Sequence, residues 1–151
     1  MLIGVISDTH GLLRPEALAA LAGVDHILHS GDVGDPAILD TLAKIAPVTA
    51  IRGNIDTHGP CALLPETDVV ELEARLFYLV HSIHWLDLDP VAAGVACVVS
   101  GHSHKPSIHT TDGVLYLNPG SAGPRRFSLP VTVALVTLTP TSISPELIAL
   151  L

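Results

Sequence analysis

Aromatic and basic residues are both scarce in this chain of 151 residues. Aromatic residues make up only 3% of it, so the core has to be built from Leu, Val, Ile and Ala, a mixture rich in the β-branched residues that favour strands. Charged residues account for 15% against 48% apolar residues, which excludes a disordered chain. Lys and Arg together number 7 against 15 carboxylates, a formal net charge of −8. This balance argues against a nucleic-acid-binding surface, which would be basic.

The chain also has few cysteines, no leader-like segment and no long apolar run. Cys61 and Cys97 do not form a C-x-x-C pair, and we predict two buried free thiols in a reducing cytosol. The apolar stretch 1–6 is interrupted by Ser7 and Asp8 too early for a signal peptide. No run approaches the ~18 apolar residues of a membrane span. We therefore expect a soluble cytoplasmic protein with no membrane partner.

Strands and helices alternate in the first half of the chain. Apolar runs closed by polar residues predict strands, and Pro at helix starts with Gly or Pro after helix ends predicts helices. The predicted strands are 2–6, 25–30 and 48–51, and the predicted helices are 15–22 and 35–45. This order indicates parallel pairing in an α/β arrangement.

The second half is richer in strands. Its strand candidates are 69–72, 75–80, 96–99, 107–109, 114–117 and 131–138, with one short helix at 89–94. Residues 69–80 are expected to form a hairpin. Since no linker or repeat separates the halves, we expect a second sheet packed within a single domain, 1–151.

Polar residues with metal-ligand chemistry stand at the ends of five of these strands. They are Asp8, His10, Asp32, Asn54, His81, His102 and His104. In open α/β sheets, sites form in the crevice beyond the carboxyl ends of the strands. Carboxylate, imidazole and amide ligands together suit Mn²⁺, Fe²⁺, Zn²⁺ or Ni²⁺ better than Ca²⁺. Each residue alone is explained by ordinary turn chemistry, but the ordered set favours a metal site.

The set resembles the calcineurin-like metallophosphoesterase superfamily, and within it a branch of small single-domain bacterial and archaeal phosphodiesterases related to the eukaryotic retromer subunit of the same fold. The motifs that carry the resemblance are Asp8-Thr9-His10-Gly11, Gly31-Asp32, Gly53-Asn54, His81, Gly101-His102-Ser103-His104 and Asn118-Pro119-Gly120-Ser121. The resemblance implies a four-layer α/β/β/α sandwich, in which two mixed sheets are flanked by helices.

The resemblance also implies a centre of two divalent metal ions, with Mn first and Fe, Ni or Zn as alternatives. One metal would take Asp8, His10, Asp32 and His104, and the other Asp32, Asn54, His81 and His102. Asp32 would then bridge them, and Asp32, Asn54 and His102 would form the catalytic set. The implied reaction is in-line attack of a metal-bridging hydroxide on the phosphorus of a small-molecule phosphate ester, most simply a phosphodiester.

Two positions depart from the family pattern. Ile55 stands where many members have His and this branch often has Cys, and Ile55 cannot protonate a leaving group. We therefore expect esters with acidic leaving groups to be hydrolysed best. Ser82 replaces the usual Gly after His81, and His84 competes with His81 as the ligand. We prefer His81 because it directly ends its strand.

Several alternatives stay open at this point. A phosphomonoesterase would normally need the acid that Ile55 replaces. A non-catalytic interaction module on the same fold would be expected to have lost metal ligands. A structural metal site would be closed to substrate. Self-association into a homo-oligomer is also left open. We predict that His29 and Asp56 support the site. Four basic residues either contact the substrate phosphate or lie on the solvated surface: Arg14, Arg52, Arg125 and Arg126.

Overall fold

A computed structural model describes residues 1–151 and contains two five-stranded sheets. The first sheet has the order β10-β9-β1-β2-β3. Its strands are β1 (Leu2–Ile6), β2 (His26–His29), β3 (Val48–Ala50), β9 (Thr132–Thr139) and β10 (Ser142–Ala149). β1, β2 and β3 pair in parallel, whereas β9 lies antiparallel to both β1 and β10.

The second sheet has the order β4-β5-β6-β8-β7. Its strands are β4 (Thr67–Leu72), β5 (Arg75–Val80), β6 (Val95–Val99), β7 (Ser107–Thr111) and β8 (Val114–Asn118). β5, β6 and β8 are parallel, and hairpins add β4 and β7 at the two edges. Both sheets are therefore mixed.

Apolar side chains fill the space between the two sheets. Val5 and Leu28 of the first sheet belong to one buried cluster with Phe77, Val99 and Leu117 of the second. This cluster contains a single aromatic residue, so β-branched and Leu side chains supply most of its volume, as the composition predicts.

Three short helices cover the outer faces. They are α1 (Pro15–Ala20), α2 (Pro36–Ala43) and α3 (Pro90–Ala93), each with Pro in its first turn. Asp35 and Asp89 cap α2 and α3 through side-chain oxygens that accept backbone N–H groups. α1 and α2 pack on the first sheet, and α3 contacts β6 on the second. None of the helices is long and apolar enough to cross a membrane.

The predicted fold class is confirmed, and the predicted strands and helices all appear with ends shifted by a few residues. β10 was not predicted, nor were the 3₁₀ turns Pro60–Leu63 and Ile83–Trp85. β10 contains Pro145, which argues against a strand in sequence reasoning. Pro145 is tolerated because β10 lies at a sheet edge and pairs with β9 alone.

Candidate metal centre

The loops that follow β1, β2, β3, β5 and β6 bring all seven predicted site residues together. Backbone hydrogen bonds join these loops directly. Asp8 N–H donates to the Gly31 carbonyl (3.0 Å), His10 N–H donates to the Asp32 carbonyl (2.9 Å), and Gly101 N–H donates to the His81 carbonyl (2.9 Å). The site is therefore assembled from both sheets, at the edge where their parallel strands end.

The side chains fall into two groups, one of Asp8, His10 and His104 and one of Asp32, His81 and His102. Within each group the potential ligand atoms lie within 4.8 Å of one another. Asn54 adjoins the second group, since its Oδ1 lies 3.0 Å from both His81 Nε2 and His102 Nδ1.

Asp32 lies between the two groups. Its Oδ2 is 3.2 Å from His10 Nε2 in the first group and 3.3 Å from His81 Nε2 in the second. Asp8 Oδ1 is 3.6 Å from His104 Nε2 and 3.8 Å from His10 Nε2. Two carboxylates and several imidazoles thus converge on one small volume.

Unsatisfied buried atoms show that this volume suits a cation. Asp8 is fully buried and its Oδ1 has no hydrogen-bond partner. His10 Nε2 is also buried and lacks a partner of good geometry, despite its proximity to Asp32. Buried polar atoms are nearly always bonded, and orphaned ligand-type atoms facing one another fit a metal site.

The tautomer of His81 adds to this fit. Its Nδ1–H donates to the Ser30 carbonyl at 2.8 Å, which turns the Nε2 of neutral His81 toward Asp32 and Asn54 as a lone pair. Asn54 Oδ1 is a further acceptor 3.0 Å from this nitrogen, so a cation placed here would have ligand atoms from both residues. The packing here leaves no room for a side chain at Gly31, where a Cβ would lie 2.7 Å from His81 Nδ1.

The backbone at the site is strained. Five of the seven residues have positive φ: Asp8 (53°), His10 (46°), Asp32 (55°), His102 (70°) and His104 (62°). Asp and His adopt this region more readily than most residues, yet each such conformation costs on the order of 1–3 kcal/mol. Strain of this kind persists only where surrounding contacts impose it, and it clusters at functional sites.

His29 braces the loops from beneath. Gly31 N–H donates to His29 Nδ1 at 3.2 Å, so the remaining proton lies on Nε2, which donates to Thr9 Oγ1 at 3.1 Å. The Thr9 hydroxyl in turn donates to the Val33 carbonyl. Complete burial lowers the pKa of His29 to about 4, so this imidazole is neutral at physiological pH.

Asp56 ties the loop after β2 to the loop after β3. It is buried and accepts three backbone N–H groups, from Val33 (3.1 Å), Gly34 (3.0 Å) and Gly53 (2.8 Å). Gly53 is required here, because a Cβ would overlap the Asp32 carboxylate. Asp56 thereby positions Asp32 and Asn54 relative to one another.

The electrostatics favour cation binding. The Asp32 carboxylate, 3.2 Å from His10 Nε2 and assisted by Asp8, raises the pKa of His10 to about 9. Burial opposes ionisation of Asp32, but the adjacent His10 and His81 imidazoles and the Ile55 N–H outweigh burial and lower the pKa of Asp32. Both shifts reflect two buried carboxylates beside several imidazoles, an arrangement whose negative charge a divalent cation would balance.

Other candidates from the sequence lie outside the two groups. His84 follows His81 in the 3₁₀ turn and belongs to neither group, which favours His81. His26 bonds Thr49, and His109 stacks on Tyr116. Among the basic residues, Arg14 donates to a carbonyl, Arg52 pairs with Glu66, and Arg125 and Arg126 are exposed.

Sequence reasoning missed Trp85, whose ring centroid lies 5.5 Å from that of His102. The available signal was its uniqueness, because Trp85 is the only tryptophan in the chain and stands four residues after His81.

The chain matches the family model of the calcineurin-like phosphoesterase superfamily domain over residues 1–141. It is 36% identical over 150 residues to a probable metallophosphoesterase of Methanothermobacter thermautotrophicus, with 89% of this chain and 85% of that protein covered. A probable metallophosphoesterase of Methanocaldococcus jannaschii is 38% identical over 134 residues, with 80% of this chain and 68% of that protein covered.

Solved structures share the fold. A predicted phosphoesterase from Streptococcus pneumoniae superposes with a TM-score of 0.78 at 26% identity, covering 99% of this chain and 89% of that one. An archaeal phosphodiesterase superposes with a TM-score of 0.80 at 21% identity, covering 98% of this chain and 100% of that one. Zn²⁺-bound Vps29 of Entamoeba histolytica superposes with a TM-score of 0.74 at 24% identity, covering 99% of each chain. The last two show the fold alone. From the family match and the two archaeal relatives, the chain belongs to the calcineurin-like phosphoesterase superfamily.

Proposed function

We propose that the protein hydrolyses phosphodiesters with the help of two divalent cations. The observation that carries this proposal is the position of Asp32, whose Oδ2 lies within 3.3 Å of a histidine from each ligand group. A carboxylate shared in this way suits two adjacent metals rather than one closed structural site.

In this proposal each cation has four protein ligands. One cation would be held by Asp8, His10, Asp32 and His104, and the other by Asp32, Asn54, His81 and His102. Mn²⁺ is our first choice, with Fe²⁺, Ni²⁺ and Zn²⁺ as alternatives, because the ligands mix carboxylate, imidazole and amide. Bound there, the two cations would lower the pKa of a shared water and offset charge that develops on the phosphoryl oxygens.

The protein itself positions and orients the reacting groups. Asp32 is held by the Ile55 N–H, which donates to its Oδ1 at 3.0 Å, and Asp8 is held by the His102 N–H, which donates to its Oδ2 at 3.0 Å. Each carboxylate therefore keeps its second oxygen free for a cation. Asn54 and His102, the more exposed members of the set, border the solvent from which substrate enters.

Leaving-group chemistry favours diesters over monoesters. Ile55 is 39% exposed at the rim of the site and offers no proton to the departing oxygen. We therefore propose that esters with acidic alcohols are hydrolysed fastest. A phosphomonoesterase is the alternative, and a higher rate on 4-nitrophenyl phosphate than on its diester would favour it.

The first experiment measures hydrolysis of bis(4-nitrophenyl) phosphate by chelator-treated protein before and after addition of Mn²⁺. We expect activity to return with the metal and to be absent in Asp32→Ala. Asp35→Ala is the matched control, because Asp35 is an exposed helix cap with one backbone partner at 2.9 Å, and this variant should retain activity. No activity with Mn²⁺, Fe²⁺, Ni²⁺ or Zn²⁺ despite bound metal would contradict the proposal and favour an interaction module on this fold.

A further inference from the structure

A cavity opens beside the candidate metal centre. Its volume of about 560 Å³ is that of a small-molecule site. Asn54 belongs to both the cavity wall and the ligand set. A phosphodiester bound at the centre would therefore direct one of its two ester groups into this space. The remaining walls indicate which chemical group fits there.

Trp85 supplies a flat apolar surface in this wall. Its ring lies against His102 and His81, with centroid separations of 5.5 and 6.0 Å, so its position is fixed relative to the metal centre. Trp85 ends a 3₁₀ turn, and its backbone N–H donates to the Ser82 carbonyl at 2.9 Å. Even so, 52% of the tryptophan surface is exposed. A planar ring placed in the cavity would cover this surface.

The charges around the cavity argue against a second phosphate. Arg52 is its only basic residue, and it is already paired with Glu66 at 2.7 Å. Three carboxylates line the same space, those of Asp56, Glu66 and Asp87. The backbone N–H groups that bind Asp56 occupy its carboxylate, whereas Glu66 is largely exposed and Asp87 has a single side-chain partner, the Tyr78 hydroxyl at 3.1 Å. The wall therefore suits an uncharged group with N–H and O–H donors.

We propose that this cavity binds the nucleoside arm of the substrate, with the base stacked on Trp85 and the sugar hydroxyls facing the carboxylates. The inference rests on the proposed function, because it places the phosphate at the metal centre. It selects nucleoside phosphodiesters with a single phosphate, and it disfavours nucleotides that carry a di- or triphosphate.

A binding experiment tests the cavity without requiring catalysis. Trp85 is the only tryptophan, so its fluorescence reports directly on this wall. Adenosine titrated into chelator-treated protein should quench the emission saturably, whereas ribose should not. The absence of saturable quenching by adenosine, or equal quenching by ribose, would overturn the proposal.

A kinetic experiment separates the nucleoside arm from the leaving group. Thymidine 5′-(4-nitrophenyl phosphate) and methyl 4-nitrophenyl phosphate release the same nitrophenol and differ only in the other ester group. Trp85→Ala should lower kcat/KM for the thymidine ester by about 5- to 150-fold, the usual range for loss of one base stack, with little change for the methyl ester. Trp85→Phe should restore most of the loss.

Phe127→Ala is the matched control, because Phe127 is an aromatic residue that is 93% exposed and lies outside the cavity wall. It should behave as the parent protein on both esters. Equal losses on the two esters in Trp85→Ala would overturn the nucleoside assignment. If neither ester is hydrolysed with any metal, the proposed function fails, and the quenching result decides the adenosine site separately.

Discussion

Replacement of Asp56 by Ala should destabilise the protein and weaken metal binding together. Asp56 is 3% exposed, and its two oxygens accept N–H groups from Val33, Gly34 and Gly53. Those donors belong to the two loops that carry Asp32 and Asn54. Loss of the carboxylate therefore releases both loops at once.

The magnitude follows from these three bonds. A hydrogen bond to a charged group is worth about 1.5–3 kcal/mol, and a buried donor left without a partner costs about 1–3 kcal/mol. The bonds share one carboxylate and water can enter the space left by the side chain, so their contributions do not add fully. We expect Asp56→Ala to lower the free energy of unfolding by about 3–5 kcal/mol. Metal affinity should fall by about 10- to 100-fold, as is usual when a group that orients the ligands is lost.

Asp56→Asn gives an intermediate test. Oδ2 of Asp56 accepts from both Val33 and Gly53, and Oδ1 accepts from Gly34. An amide keeps only one acceptor oxygen, so its NH₂ group would face at least one backbone N–H. We expect a loss of about 2 kcal/mol for this variant.

Urea unfolding of chelator-treated protein measures the stability, and calorimetric titration with Mn²⁺ measures the affinity. Asp89→Ala is the control, because Asp89 also accepts two backbone N–H groups but does so at an exposed helix cap, where water replaces it. That variant should lose only about 1 kcal/mol and keep its metal affinity. If Asp56→Ala costs no more than Asp89→Ala, or if metal affinity is unchanged, the positioning role is refuted.

Three further predictions concern pH, turn chemistry and the missing acid. Because burial lowers the pKa of His29 to about 4 from 6.5, the unfolded chain binds a proton between these pH values that the folded chain does not. The free energy of unfolding should therefore fall by up to about 3 kcal/mol as the pH drops through this window, and less in His29→Gln, when measured by urea titration at each pH. In the β4–β5 turn Ala74 has a φ of 61°, so Ala74→Gly should raise stability by about 1 kcal/mol, whereas Gly113→Ala, at a φ of 78° in the β7–β8 turn, should lower it by a similar amount. Urea unfolding measures both variants. A loss of stability in Ala74→Gly, or a gain in Gly113→Ala, would contradict this explanation of the turns. Ile55→His should raise kcat for diesters with poorly acidic alcohols more than for nitrophenyl esters, and no gain on the former would contradict the assigned consequence of Ile55.

The order of strands and the location of the site were predictable because both depend on local patterns. Apolar runs closed by Ser-Asp, Gly-Asp, Gly-Asn or Gly-His mark where buried strands end, and parallel strands of one sheet bring those ends to one edge. That physical link is sufficient to predict that Asp8 and Asp32 converge, whereas His102 joins them because the second sheet packs with its strand ends at the same edge. β10 could not be predicted in this way. Its Pro145 is acceptable only in an edge strand, and the position of a strand at an edge is a property of the assembled sheet.

The geometry of the site depends on contacts that no local pattern records. The choice between His81 and His84 rests on which side chain faces Asp32 once the two sheets pack. The tautomer of His81 rests on the Ser30 carbonyl, which lies in the loop after β2. Trp85 lies beside His102 because the 3₁₀ turn after β5 folds back toward the β6 loop. Sequence spacing gives the identity of such residues but not their orientation.

The positive φ angles connect the strain of the site with its supports. Five residues at about 1–3 kcal/mol each would sum to a strain comparable to the entire 5–15 kcal/mol stability of an ordinary domain, so neighbouring contacts must impose these conformations. The contacts are visible: Asp56 fixes the Asp32 loop, His29 bonds Gly31 and Thr9, and the Ser121 hydroxyl donates to the Asp8 carbonyl at 3.0 Å. Since these groups impose the ligand geometry before any cation binds, their loss should weaken metal binding even though none of them contributes a ligand. Preorganisation of the centre is therefore a property of the buried residues around the seven ligands as much as of the ligands themselves.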